Sequence, residues 1–236
     1  MYVFGKNVAK ELLSNNTKIN KAFMADNLVG SDIEKELKEL GIKINYTDNR
    51  SLDKIEKGNH QGIILDIDDY SYLSEKDMIN NLGSNPFIVI LDHLEDPHNF
   101  GAIIRTCEAA GVDYIVLPKN RSVKVTSTVM KTSVGALDNV KIVEVTNLNN
   151  TISKLKDNGI WIVGTDMDNS MEYNKIDYTT PIAIIIGSEG FGMSELVKKN
   201  SDFIARIPMY GKINSLNASV AAGIMIYEVV RQRNGG

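Results

Sequence analysis

A single cysteine, Cys107, stands among the 236 residues, so the chain can close no internal disulfide and assemble no cysteine-based metal cluster. Histidine is almost as scarce. His60, His93 and His98 are scattered without a ligand spacing such as HExxH, and no metal site is expected. No uninterrupted apolar run approaches the ~20 residues needed to cross a bilayer. The N-terminus MYVFGKNVAKELL has no apolar core followed by a small-residue cleavage site, so the expected address is cytoplasmic, with no membrane partner. A basic excess is also missing: 26 Lys and Arg stand against 30 Asp and Glu, a formal charge of −4. That balance weighs against a phosphate-rich partner, which usually leaves a basic footprint.

What is present is ordinary for a globular chain, 43% hydrophobic and 24% charged. The length allows one medium domain plus a small one. Cys107 falls with Ile103 and Ala110 on one helical face and reads as a core thiol. Residues 1–69 alternate between helix and strand: helix over Lys6–Leu13, strand over Lys21–Ala25, helix over Ser31–Leu40 closed by Gly41, strand over Ile42–Tyr46, a short helix near Leu52–Lys57, and strand over Gly62–Ile67. Residues 70–85, within the acidic and polar stretch from Asp66, read as a linker with one helical turn around Glu75–Leu82. From residue 86 to the end, short β-branched runs such as FIVIL, YIVLP, IWIVGT and IAIIIG alternate with helical segments, which predicts a parallel sheet buried on both faces.

Three strand-to-loop junctions carry unusual polarity: ILDHLEDPHNFGAIIRTCEAAG (90–111), IAIIIGSEGFGMSEL (182–196) and IPMYGKINSLNASVAAGIMIYE (207–228). In open α/β sheets ligands sit beyond the carboxyl ends of strands, where all three fall. None has a GxGxxG fingerprint, and Glu189 in GSEGFG puts a carboxylate where a phosphate loop wants none, so a dinucleotide or ATP site is poorly supported. Ser215 is as well suited to capping a helix as to binding a ligand. Lys119, Arg121, Lys124 and Lys131, and again Lys198, Lys199, Arg206 and Lys212, form local basic clusters that read equally as solvated surface or as an RNA-facing patch.

Taken together, DPHNFGAIIRT, IIIGSEGFGM and IPMYGKINSLNASVAAGI resemble, in order, the three signature motifs of the SpoU (TrmH-like) RNA ribose 2′-O-methyltransferases. The branch that modifies guanosine in 23S ribosomal RNA is the most similar one. The resemblance implies an α/β architecture in which a knotted, trefoil SPOUT-type parallel-sheet domain (86–236) follows a small L30e-like α/β domain (1–69) that binds RNA. Such a knot would be a rare exception to unknotted topology.

The resemblance also implies S-adenosylmethionine as cofactor, bracketed by Gly164, Thr165, Gly187, Ile207, Ser215 and Leu216. A catalytic set of Asn99, Arg105, Glu189, Ser215 and Asn217 follows from it, as do substrate contacts from His60, Gln61, Arg105 and Ser133. A turn role competes for His60 and Gln61, and helix termination for Ser133. Six residues turn a helix by about 600°, so Asn99 and Arg105 cannot share a face, and Asn99 is expected in the loop or cap. A guanidinium with pKa above about 12 is a poor base. Phosphate clamping and stabilisation of a developing alkoxide therefore suit Arg105 better than proton abstraction. The family implies a homodimer that completes the site, and RNA as partner: ribosomal RNA, with transfer RNA as the alternative. A non-catalytic RNA-binding or ribosome-assembly protein of the same fold is the reading from another class.

Overall fold

Alternating apolar positions in the first third build a four-stranded mixed sheet with helices against it. In the computed structural model, which describes residues 1–235, this part forms one compact unit of residues 1–71 with 125–131; the remainder forms a second. The front unit runs β1 (Tyr2–Phe4), α1 (Lys6–Ser14), β2 (Ile19–Ala25), α2 (Asp32–Glu39), β3 (Ile44–Thr47), α3 (Asn49–Ile55) and β4 (Ile63–Ile67). Its strand order is β1-β4-β2-β3, with β4 antiparallel to both β1 and β2, and β3 parallel to β2. Val8, Leu12, Leu13, Ile33 and Leu37 bring the helices' apolar stripes onto Met24, Ile63 and Leu65. The helix predicted from Leu52 begins at Asn49, because Asp48 caps it by accepting from the Ser51 amide at 2.8 Å.

Helix α2 starts where expected. Ser31 accepts from the Glu34 amide, and Glu34 reaches back to the Gly30 amide at 2.6 Å, a variant of the capping box. The Glu34 carboxylate is only 3% exposed. It also accepts from the Tyr46 hydroxyl and pairs with Lys38 at 2.8 Å. Lys38 first, then Tyr46 and Gly30, hold this carboxyl down from 4.5 to about 2. Since the folded value lies below the unfolded one, the stabilisation is fully present above the unfolded value and is lost as pH falls through the folded one. The unfolding midpoint should therefore drop between pH 4.5 and about 2. Glu34→Gln should flatten that part of the profile, as read by denaturant unfolding across the window.

The second unit contains α4 (Glu75–Asn80), β5 (Phe87–Asp92), α5 (Pro97–Ala109), β6 (Tyr114–Pro118), the end of α6 (Ser127–Ser133), β7 (Ile142–Val145), α7 (Leu148–Asp157), β8 (Trp161–Thr165), β9 (Met171–Glu172), β10 (Ile182–Gly187), α8 (Glu195–Asn200), β11 (Phe203–Arg206) and α9 (Ala218–Arg233). Its seven strands are all parallel, in the order β7-β6-β5-β10-β8-β11-β9. The β-branched runs are buried throughout β5 and β6 and nearly so in β10, as a sheet covered on both faces requires. The polar stretch before β5 carries the expected helical turn as α4, capped by Ser74, and Leu73 bridges to Val143 of β7. Cys107 is fully buried in α5, and burial pushes its thiol up, out of reach of ordinary thiolate chemistry. Among the described residues no helix is long and apolar enough to cross a membrane.

Candidate active site

Strand β5 has β6 on one side and β10 on the other, all three parallel, so the order of strand addition turns about it and a crevice opens at the carboxyl ends. Three segments meet there. The first follows β5 into α5, whose N-cap is Asp96; its carboxylate accepts from the Asn99 amide at 2.8 Å, with Pro97 at the first helical position. Asn99 therefore lies inside the first turn of α5, not in the loop or cap. Its side chain is freed from capping because Asp96 already performs it.

The second segment follows β10. Ser188 and Gly192 exchange both backbone hydrogen bonds at 3.0 Å, closing a tight loop that Gly190 (φ 100°) and Gly192 (φ 67°) make possible. The third is the extended strap from Ile207 to Asn217. Asn217, rather than Ser215, caps α9: its Oδ1 accepts from the Ser219 amide at 3.0 Å and the Val220 amide at 3.4 Å.

Capping decides which way the Asn217 amide points, and its Nδ2 then donates to Asn99 Oδ1 at 2.9 Å and to Glu189 Oε1 at 3.3 Å. Asn99 Nδ2 donates to the same Glu189 oxygen. One residue from each junction thus joins a single hydrogen-bonded cluster. Asp92, which the sequence reading missed, ties the end of β5 to the chain that follows the second segment. Wholly buried at the end of β5, it accepts from the Ser194 amide at 2.7 Å and holds the His93 ring.

Beside the cluster is a cavity of ≈ 570 Å³, bordered by Thr165, Gly187, Ile207, Ser215 and Leu216 as well as Glu189 and Asn217. That volume suits a nucleoside-sized ligand. Ile186, Met167, Met209 and Ala205 supply apolar wall, and Asp166 a second carboxylate. Burial raises the Asp166 carboxyl, but the Asp168 amide and the Lys198 ammonium at 3.0 Å, with the Met167 amide, outweigh it and hold the group below its ordinary range. Arg206 also borders the cavity, yet its guanidinium is taken up by the Ser170 carbonyl and Glu172. With Asp166 paired to Lys198, the exposed Glu189 carboxylate is what makes the cavity more hospitable to a cation than to a phosphate. Asp166 and Met167 directly follow β8, so the carboxyl-end rule that singled out Thr165 was signal enough to find them.

Other expected residues stand apart. Gly164 does not border the cavity; a Cβ there would come within 2.6 Å of Met193 and 2.9 Å of Ser201, so its glycine serves packing. Gly187 does border it, but its missing Cβ admits the chain's own backbone: Gly192 C would be 2.4 Å and Met193 N 2.5 Å away. Arg105 is exposed on α5, borders neither this cavity nor a second one lined by His93, Glu95 and Phe191, and has no ion pair among the described residues. Ser133 is fully buried at the end of α6, where Val134 (φ 50°) and Gly135 (φ 78°) terminate the helix.

In the front unit His60 is a turn residue. Its Nδ1 accepts from the Gly62 amide at 3.0 Å and its Nε2 lies 3.2 Å from Asp53. Gln61, at φ 52°, accepts from the Lys6 amide at 2.9 Å and so satisfies the uncapped start of α1. Both still border a polar cavity of ≈ 410 Å³. The basic clusters are thinner than they read: Lys124 pairs with Glu144, and Lys198 with Asp166.

Residues 86–227 match the model of the SpoU rRNA methylase family, and residues 2–73 match that of the RNA 2′-O ribose methyltransferase substrate-binding domain. Over 239 residues the chain is 44% identical to a Bacillus subtilis (strain 168) protein whose name assigns it to the TrmH family of tRNA/rRNA methyltransferases; the match covers 99% of this chain and 96% of that one. The fold is similar to that of an rRNA methyltransferase from Sinorhizobium meliloti solved with AdoMet bound (TM-score 0.77, 25% identity, 98% of this chain and 86% of that one). It is equally similar to the SpoU methyltransferase AviRb from Streptomyces viridochromogenes, solved in complex with AdoMet (TM-score 0.77, 21% identity, 100% and 91%).

Proposed function

The chain belongs to the SpoU rRNA methylase family, and from that premise we propose that it methylates a ribose 2′-hydroxyl of RNA, specifically a guanosine of 23S ribosomal RNA, with S-adenosylmethionine as donor. The observation that carries this reading is the cluster of Asn99, Glu189 and Asn217, one residue from each junction, at the rim of the ≈ 570 Å³ cavity.

The cavity fits the cofactor's chemistry. S-adenosylmethionine, when bound, supplies an electrophilic methyl group on a sulfonium cation, and it carries no phosphate. Glu189 offers negative charge to such a cation, the wall of Ile186 and Met209 offers apolar surface, and the main chain at Gly187, Ile207 and Leu216 offers hydrogen bonds to its polar ends. Ser215 and Thr165 complete the rim, although the Thr165 hydroxyl already donates to the Ile185 carbonyl at 2.8 Å.

Positioning is the main task in such a transfer. Asn99 and Asn217, oriented by Glu189 and by the α9 cap, would hold the ribose. Arg105 would clamp the adjacent phosphate and stabilise the developing alkoxide as the oxygen takes the methyl group from sulfur and the hydroxyl proton passes to solvent water. Exposed on α5 and bordering neither cavity, it is placed in this reading at the site of a second copy. Val220 and Tyr227, seven residues apart on one face of α9, are half exposed, which supports a homodimer through that helix. The reading includes residues 1–69 as the RNA-recognition domain, 70–85 as its connection and 86–236 as a knotted catalytic domain. The substrate-binding match over residues 2–73 supports the first of these.

The test is labelled-methyl transfer to unmodified large-subunit ribosomal RNA and, separately, to transfer RNA, with the product mapped for ribose methylation. Incorporation at one guanosine of ribosomal RNA is expected. Incorporation into transfer RNA alone would replace the substrate, and none into either by folded, cofactor-bound protein would favour the non-catalytic assembly role.

A further inference from the structure

Across the Ser188–Gly192 loop from the cofactor cavity is a second cavity of ≈ 690 Å³, which shares Ser188, Glu189 and Gly192 with the first as a common wall. Its other borders include Glu95, Arg121 and Phe191, none of which takes part in the methyl transfer described above. Phe191 is 95% exposed at the tip of the loop. The turn itself requires only the flanking glycines, Gly190 and Gly192 at positive φ, so an aromatic ring in water there contributes nothing to folding. Arg121 makes no ion pair among the described residues, whereas Lys124 and Lys198 in the same clusters are tied to acids. The exposed carboxylates of Glu95 and Glu189 keep phosphate out of the interior and accept hydrogen bonds from N–H donors.

An aromatic platform, an uncommitted guanidinium and acceptors beside a methyl-transfer site match one ligand. We propose that this second cavity receives an unstacked base of the RNA adjoining the nucleotide to be methylated. The base stacks on Phe191 and its amino or imino edge donates to Glu95, while Arg121 holds the phosphate at the rim. The inference rests on the RNA methyltransferase reading and adds to it a second nucleotide subsite.

Phe191→Ala and Arg121→Gln should each raise KM for the RNA about tenfold, within the range of a single base-stacking or phosphate contact. Neither should change S-adenosylmethionine affinity measured by calorimetry. Phe191→Trp should restore KM, and its fluorescence should be quenched by RNA. Arg121→Gln should also flatten the salt dependence of RNA binding by about one phosphate contact. Unchanged KM and unchanged direct RNA affinity in both variants would overturn the subsite. A shift in sedimentation of Phe191→Ala with KM unchanged would also overturn it, by assigning the ring to a protein contact. Wild-type protein that binds RNA without methylating it would instead sink the catalytic reading, and the affinity and quenching measurements would still decide the subsite.

Discussion

Replacing Arg105 by alanine is expected to lower methyl transfer at least ~10²-fold, the loss typical of a removed electrostatic stabiliser, while stability stays within about 0.5 kcal/mol, as for other surface substitutions. The two halves of this expectation have separate causes. Arg105 is exposed and has no ion pair among the described residues, so the folded chain loses little packing and leaves no charge stranded when it goes. A guanidinium without an acid beside it is free to pair with an incoming anion, and the 2′-oxygen and its neighbouring phosphate are the anions of this reaction. Steady-state kinetics and thermal unfolding of the same preparation check it. Turnover close to wild type would remove Arg105 from the mechanism. A large drop in melting temperature would recast it as structural.

Much of the architecture could be read from residue order because local and global preferences agree. Ser31 and Gly41 bracket α2, with Gly41 at φ 69°. The β-branched runs predict strands β5, β6 and β10, which prove buried almost end to end. Strands β1 and β9, three and two residues long, are too short for any alternation to register, and only pairing with β4 and β11 defines them.

The site was legible as three junctions but not as a geometry. Asp96 followed by Pro97 is a helix start in its own right, and it moves Asn99 from cap to helix, where its side chain can meet Glu189. Ser215 and Asn217 are both plausible caps by residue type. The choice depends on where the extended strap ends, which tertiary packing decides. His60 and Gln61 show the same limit in the front unit: their hydrogen bonds to Gly62 and Lys6 join residues whose proximity only the folded turn creates.

Gly187→Ala is expected to weaken S-adenosylmethionine binding at least tenfold and to cost about 1–3 kcal/mol of stability, as overpacking does. Gly187 is not at positive φ, so alanine's own torsions are acceptable and the penalty comes from contact alone. The new methyl would lie 2.4 Å from Gly192 C, 2.5 Å from Met193 N and 2.7 Å from Gly192 O, all backbone atoms that no rotamer change can move. Strand β10 cannot yield, because Gly187 is in register with Asp92 of β5. The loop must therefore move, carrying Glu189 away from Asn99 and Asn217 and breaching the wall between the two cavities. Gly211→Ala, where a Cβ meets nothing within 4 Å, should leave both quantities unchanged. Wild-type affinity in Gly187→Ala would mean that loop packing does not shape the proposed cofactor site.

The same variant tests where Arg105 acts. If each Arg105 serves the partner's site, a mixed dimer of Gly187→Ala and Arg105→Ala chains retains one complete site, an intact cavity facing an intact arginine, and recovers about half the activity. If Arg105 serves its own chain, every site in the mixed dimer is defective and activity stays at the level of the variants alone.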